Sequence, residues 1–222
     1  MKKGTTKMTG KARRRLYMAI GLLAAFCLWS ALVITVDKAP IGPQGTSVGF
    51  ATLNGAVHQL TGVHMELYTV TDWLSILPLG LASGFGVLGL IQWIKRKRLT
   101  LVDRDLLLLG GFYVAVFLAY LLFEVWVVNC RPVLIEGRLE ASYPSSTTML
   151  VTCIMSTAMM QLGRRVSSFA IRAVLLGAMA VFTVFMVVGR LWSGVHWISD
   201  IIGGLLLSGG LVLLYHALEQ RT

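Results

Sequence analysis

The chain has 222 residues, of which 56% are hydrophobic and 14% are charged. Together with a mean hydropathy of +0.74, this composition is typical of an integral membrane protein and excludes an ordinary soluble domain. The net charge of +10 does not indicate nucleic-acid binding, because the basic residues lie in short segments between apolar runs, which is the pattern that sets orientation in a membrane.

The apolar runs predict an all-α protein, a bundle of six transmembrane helices, because a bilayer-spanning helix needs about 20 mostly apolar residues. A basic tail, residues 1–15, is expected to lie in the cytoplasm before the first helix. The predicted helices cover residues 16–36, 73–94, 106–128, 146–162, 172–189 and 197–218. Neither a repeat nor a composition change divides the chain, so residues 1–222 are expected to form one membrane domain.

The longest polar connection, residues 37–72, is expected to lie at the outer surface. Its later part mixes apolar side chains with His58, His64 and acidic residues, which predicts an amphipathic helix in the membrane interface. The two histidines are six residues apart, which is not the ligand spacing of a helix, and they are interpreted as surface residues. We expect this segment to cover a pocket and control access to it.

The distribution of basic residues predicts the orientation. If the N-terminus is cytoplasmic, the inner segments contain all the Lys and Arg residues except Lys38, Arg131, Arg138 and Arg190. This asymmetry predicts a multi-pass plasma-membrane protein with both termini in the cytoplasm, and we expect a bacterial origin. It also places Arg131 and Arg190 at the outer face, where cations are disfavoured.

The segment 189–200 combines a cation, an imidazole and a carboxylate. Arg190 precedes His196 by six residues, and Asp200 follows it by four. In a helix that begins at His196, the two would share a face, and the carboxylate would hold one ring nitrogen while the other stays free. Interfacial anchoring would explain Arg190 and Trp192, but not an Asp one turn deeper, where ionisable groups are usually functional.

A second polar segment, Pro144-Ser-Ser-Thr-Thr148, opens the fourth predicted helix at the same level. Free N–H groups and hydroxyls at a helix start favour an anion, and the arginines suit phosphate oxygens. An imidazole can attack phosphorus and form a phosphohistidine. Cys27, Cys130 and Cys153 lack the spacing of a zinc site or a disulfide framework, so we expect neither a metal nor a cofactor.

These residues resemble the type 2 phosphatidic acid phosphatase superfamily of lipid phosphate phosphatases, over residues of about 100–205. That family has the motifs K-x6-R-P, P-S-G-H and S-R-x5-H-x3-D. The corresponding residues here are Arg131-Pro132, then Pro144-Ser145-Ser146-Thr147, then Gly189-Arg190, His196 and Asp200. The resemblance implies a His196 nucleophile oriented by Asp200. It also implies that the substrate phosphate is bound by Arg131, Arg190, Ser145, Ser146 and Thr147.

Three positions depart from the family pattern. Glu124 replaces the first-motif lysine, Thr147 replaces the second-motif histidine that acts as an acid, and Gly189 replaces a serine. Glu124 is interpreted as a partner of Arg131 or as a replacement acid. We therefore expect a phosphohydrolase for a lipid phosphate or for an isoprenyl diphosphate such as undecaprenyl diphosphate. The alternative is a catalytically impaired relative that binds or transports a phospholipid or polyprenyl phosphate.

Overall fold

The computed structural model describes residues 9–220, which fold into eight α-helices. They are α1 (Gly10–Thr35), α2 (Ala51–Thr61), α3 (Met65–Leu74), α4 (Ile76–Arg96), α5 (Arg104–Val125), α6 (Ser146–Arg165), α7 (Phe169–Trp192) and α8 (Ile198–Glu219). Helix α1 begins within the predicted basic tail, because Thr9 caps it by accepting a hydrogen bond from Ala12 N at 3.2 Å. The first eight residues of that tail, and Arg221, lie outside the described residues.

Five helical segments within residues 9–220 are long and apolar enough to cross a membrane. They are α1, the continuous pair α3–α4 (Met65–Arg96), α5, α7 and α8. Large apolar side chains such as Leu118 and Val181 are exposed on their surfaces, as is expected of faces that contact lipid. The protein is therefore a multi-pass membrane protein. The predicted interfacial helix is two helices, and the second of them, α3, leads directly into α4.

Helix α6 matches the fourth predicted helix but is less apolar than the other five segments. Its polar residues face neighbouring helices, since α6 packs against α4, α5, α7 and α8. Thr157 and Gln161 are fully buried; the hydroxyl of Thr157 lies 3.2 Å from that of Tyr113, and Gln161 donates to the Tyr215 hydroxyl at 2.7 Å. Apolarity, which identifies a lipid-facing helix, is not required of a helix enclosed by protein.

One end of the bundle, hereafter the basic end, includes the ends of α4, α6 and α8 and the start of α5. Three ion pairs join them: Arg96–Asp103 at 2.8 Å, Arg165–Asp105 at 2.8 Å and Arg164–Glu219 at 2.5 Å. The two pairs of Asp103 and Asp105 are exposed or half-buried and contribute about 0–1 kcal/mol each, whereas Glu219 in the third pair is buried. The opposite end, hereafter the site end, contains α2, α3 and the connections that precede α6 and α8.

Residues 126–145, hereafter the strap, connect α5 to α6 at the site end. The strap folds back on itself: Arg131 N donates to Glu140 O at 3.0 Å, and Ser142 N donates to Asn129 O at 2.9 Å. Tyr143 then anchors it in the core, where its hydroxyl lies 2.7 Å from that of Ser30 on α1. This pairing fixes which side chains of the strap face α8.

Helix α8 passes close to both the strap and α1 because glycines lie at the contacts. A Cβ atom on Gly203 would lie 2.6 Å from the ring of Tyr143, and one on Gly210 would lie 2.8 Å from the side chain of Leu23. Small residues let backbones approach in this way. The first turn of α8 is therefore held against the strap, and this contact builds the site.

Candidate active site

His196 lies in the short connection between α7 and α8 and is 3% exposed. Its Nε2 atom lies 3.4 Å from Arg131 Nη1, and its Nδ1 atom lies 3.1 Å from the hydroxyl of Ser142. Because a guanidinium can only donate, Nε2 accepts and Nδ1 carries the proton. The lone pair of Nε2 therefore points toward Arg131, as an attack on a phosphate bound by this arginine requires.

Asp200 occupies the first turn of α8, which begins at Ile198, one residue after the predicted start, so that His196 precedes the helix. It is fully buried, and its Oδ2 atom is 3.8 Å from His196 Nδ1. The Ser142 hydroxyl donates to that oxygen in a short hydrogen bond, and Trp197 N donates to it at 3.0 Å. Asp200 thus reaches the imidazole through Ser142, and it also caps the start of its own helix. Asp200 lies beside the imidazole as expected from the sequence, and Ser142 forms the hydrogen bonds that connect the two.

Arg190, in the last turn of α7, is 2% exposed and has three partners from other helices. Its Nη2 atom donates to Thr147 Oγ1 at 2.6 Å and to Asp72 Oδ1 at 3.1 Å, and its Nη1 atom donates to Thr71 Oγ1 at 3.5 Å. A guanidinium held on three sides is preorganised to bind an anion with the donors that remain. Its Nε atom is buried without a hydrogen-bond partner.

Arg131 is the second buried cation, at 8% exposure. Its Nε atom lies 3.0 Å from Glu140 Oε2, because the two residues face each other across the strap. Glu124, which the sequence suggested as the partner of Arg131, lies on the last turn of α5 and lines a pocket that includes Tyr120 and Ser142. Glu140 has taken the pairing role, and an acid role for Glu124 stays a prediction.

Tyr68 of α3 holds the two arginines together. The Arg190 guanidinium lies 4.9 Å from the centre of its ring and that of Arg131 lies 6.0 Å away, within the range of a cation–π contact. Tyr68, Thr71 and Asp72 were not predicted as site residues. Thr71 and Asp72 follow Tyr68 by three and four residues, which places all three on one helical face. This spacing in the sequence could have indicated that they act together.

The three polar residues that open α6 have different positions. Ser145 is fully buried, and its hydroxyl caps the helix by accepting from Thr148 N at 3.4 Å. Ser146 lies in the first turn, where its N–H has no partner within the helix, and it lines the same pocket as Glu124. Thr147 reaches Arg190. The structure thus brings Thr147 to Arg190, while the hydroxyl of Ser145 is engaged as a cap.

Burial of the imidazole is the main cause that lowers the pKa of His196 well below 6.5, and the charges of Arg131 and Arg190 lower it further. The ring is consequently neutral at pH 7, which is the nucleophilic form. A neutral imidazole beside two buried guanidiniums leaves a positive site for an anion.

Sequence comparison identifies the family: the model of the PAP2 superfamily matches residues 80–222. The chain belongs to the PAP2 superfamily. The match includes the strap, the start of α6 and the segment from Arg190 to Asp200, so the resemblance found in the motifs is confirmed. Helix α3, with Tyr68 and Asp72, precedes the matched region.

A solved structure has a similar fold to this PAP2 protein. It is described as the first transmembrane PAP2-type phosphatidylglycerolphosphate phosphatase from Bacillus subtilis, and it aligns with a TM-score of 0.62 and 18% identity. The alignment covers 91% of this chain and 95% of that chain, which supports the arrangement of the whole bundle. The comparison with curated proteins finds no match.

Proposed function

We propose that this PAP2 protein removes phosphate from a lipid phosphate or an isoprenyl diphosphate at the outer face of the plasma membrane, with His196 as the nucleophile. The observation that carries the proposal is the state of His196. Its unprotonated Nε2 lies 3.4 Å from Arg131, while its Nδ1 is held by Ser142. A neutral, oriented imidazole beside two buried arginines is suited to attack phosphorus.

The reaction has two steps. The arginines bind the phosphoryl oxygens, and when Arg131 turns from Nε2 to the phosphate, the lone pair of Nε2 is released. Nε2 then bonds to phosphorus while the bond to the leaving oxygen breaks, and Asp200, through Ser142, stabilises the positive charge that develops on the ring. Water subsequently cleaves the phosphohistidine.

The residue at position 147 favours substrates with a good leaving group. A threonine hydroxyl does not replace a histidine as a proton donor, and loss of a general acid costs about 10²–10⁴-fold in rate. When an isoprenyl diphosphate loses its terminal phosphate, the leaving group is the isoprenyl monophosphate. This group needs less protonation than the alkoxide that a phosphate monoester releases. We therefore place isoprenyl diphosphates first, with phosphatidic acid and phosphatidylglycerol phosphate as the monoester candidates.

The test is phosphate release by the purified full-length protein from undecaprenyl diphosphate, phosphatidic acid and phosphatidylglycerol phosphate, with His196→Ala as the control. We expect release by the wild type, fastest with the diphosphate, and a phosphohistidine that can be trapped by acid-free quenching and is absent from the variant. Equal background release by both proteins would rule out the enzyme.

The second candidate is a relative that binds or transports a phospholipid or polyprenyl phosphate without hydrolysing it. The departures at Thr147 and Glu124 favour it. Thr147 stands where the family has an acidic histidine, and Glu124 stands where it has a lysine that binds phosphate. The same assay separates the two. Saturable binding of undecaprenyl phosphate that is lost in Arg190→Gln, together with no phosphate release from any substrate, would support the second candidate.

A further inference from the structure

Asp72 contacts Arg190 but has no role assigned to it in the two steps of the reaction. Its carboxylate lies 3.1 Å from Arg190, whose side chain is 3% exposed, yet the Asp72 side chain is 55% exposed. The carboxylate is therefore open to its surroundings on one side and in contact with a buried arginine on the other.

The packing of α3 on α7 sets this position. A Cβ atom on Gly189 would lie 2.9 Å from Cγ2 of Thr71, so the absence of a side chain at Gly189 allows α3 to approach. The next residue, Asp72, then meets Arg190 on the nitrogen that also donates to Thr147. The carboxylate and the Thr147 hydroxyl thus share one guanidinium nitrogen.

The second step requires a base. Asp72 and Glu140 each pair with one arginine of the site, whereas Glu124 lines a pocket whose lining includes neither arginine nor His196. His196 is bonded to phosphorus at this stage. Asp200 lies behind the imidazole and accepts hydrogen bonds from Ser142 and Trp197. Glu140 pairs with Arg131, which is the arginine that contacts Nε2.

Geometry also favours the Arg190 side of the pocket. Water must attack phosphorus in line, opposite the bond to Nε2, and therefore from the side through which the leaving group departed. That side must be open, because the leaving group carries a lipid. Asp72 is exposed and pairs with Arg190, whose guanidinium hydrogen-bonds to Asp72, Thr71 and Thr147, whereas Arg131 contacts the imidazole.

We propose that Asp72 is the general base that activates water for hydrolysis of the phosphohistidine; this rests on the proposed function. The water oxygen bonds to phosphorus, the bond from phosphorus to Nε2 breaks with its electron pair returning to the ring, and the water proton passes to the Asp72 carboxylate. An anionic carboxylate is a base and not an acid, so the first step receives no proton from it. This is consistent with a substrate whose leaving group departs as a phosphate.

The test uses Asp72→Asn in the full-length protein, with undecaprenyl diphosphate labelled on its terminal phosphate. We expect the phosphohistidine to form in the first turnover and to accumulate, while steady-state phosphate release falls by about 10²–10⁴-fold. Formate should restore part of the release in Asp72→Gly, because it can replace the missing carboxylate. The matched control is Glu140→Gln, which changes the carboxylate on the other arginine and should raise KM without accumulation of the phosphoenzyme.

Two results would overturn the role of Asp72 alone: release at the wild-type rate in Asp72→Asn, or a parallel loss of phosphoenzyme formation and turnover with no rescue by formate. The latter would make Asp72 a residue that only positions Arg190. If the wild type itself releases phosphate no faster than His196→Ala, the proposed function fails, and the role of Asp72 fails with it.

Discussion

Asp200 lies 3.8 Å from the imidazole of His196, and the hydroxyl of Ser142 is hydrogen-bonded to both. The serine belongs to the strap, whereas the carboxylate belongs to α8. The orientation of the nucleophile therefore depends on two segments that are distant in sequence, and it requires the strap to be seated in the core by Tyr143.

Ser142→Ala should reduce phosphate release by roughly tenfold to 150-fold, because a hydrogen bond to a charged group contributes about 1.5–3 kcal/mol. The effect should appear in kcat, since Ser142 contacts the imidazole and not the arginines. Ser208→Ala is the control: it removes a buried hydroxyl of α8 that donates to Leu205 O within its own helix, and it should lower the melting temperature with little change in kcat. Unchanged kcat in Ser142→Ala would show that Asp200 acts without the bridge.

The rate of phosphoenzyme formation should remain high below pH 6.5. His196 must be neutral to attack, and its pKa is lowered by burial and by two arginines, so the rate declines only as the pH falls through that lowered value. Arg131→Gln removes one of the lowering charges, so the pKa rises and the decline moves to higher pH.

A pH series of rapid-quench measurements at substrate concentrations well below KM would detect this shift, because the rate then depends on the ionisation of the free enzyme. Arg138→Gln, which changes an exposed arginine of the same strap, should leave the profile where it is in the wild type. If the rate of phosphoenzyme formation declines at the same pH in Arg131→Gln and in the wild type, the charge of Arg131 does not lower the pKa of His196.

The helices and the cluster of Arg131, Arg190 and His196 could be predicted from the sequence. The contacts of Ser142 and Asp72 with this cluster could not. Apolar runs and the start of α6 at Ser146 follow from local patterns. Ser142 could not be predicted, because its role depends on how the strap pairs with itself. Asp72 could not either, because its contact with Arg190 depends on the approach of α3 at Gly189, which is a tertiary effect.

The orientation proposed from the charge distribution can be tested by cysteine labelling. Cys27 and Cys130 would be changed to alanine, and the buried Cys153 would be kept. In intact cells, a membrane-impermeant maleimide should label Arg138→Cys in the strap. It should label Lys97→Cys, at the basic end, only after the cells are permeabilised. The reverse pattern would place the site in the cytoplasm.

Thr147→His should raise turnover of monoester substrates such as phosphatidic acid, because it introduces a proton donor beside Arg190. The expected gain is up to the 10²–10⁴-fold that a general acid provides, and it should be smaller for undecaprenyl diphosphate, whose leaving group needs less help. Thr147→Asn, which is polar but donates no proton to a leaving group, is the control. A folded Thr147→His protein with no gain on monoesters would indicate that the site uses a different donor.

Gly189→Ala should destabilise the protein and weaken turnover together. The added Cβ would lie 2.9 Å from Thr71 Cγ2, and overpacking of this kind typically costs about 1–3 kcal/mol. Movement of α3 to relieve the contact would carry Asp72 away from Arg190. Adding Thr71→Ser removes the clashing methyl group but retains the hydroxyl that accepts from Arg190, so the double variant should recover melting temperature and phosphate release relative to Gly189→Ala. Equal loss in the single and double variants would show that the approach of α3 does not depend on this contact.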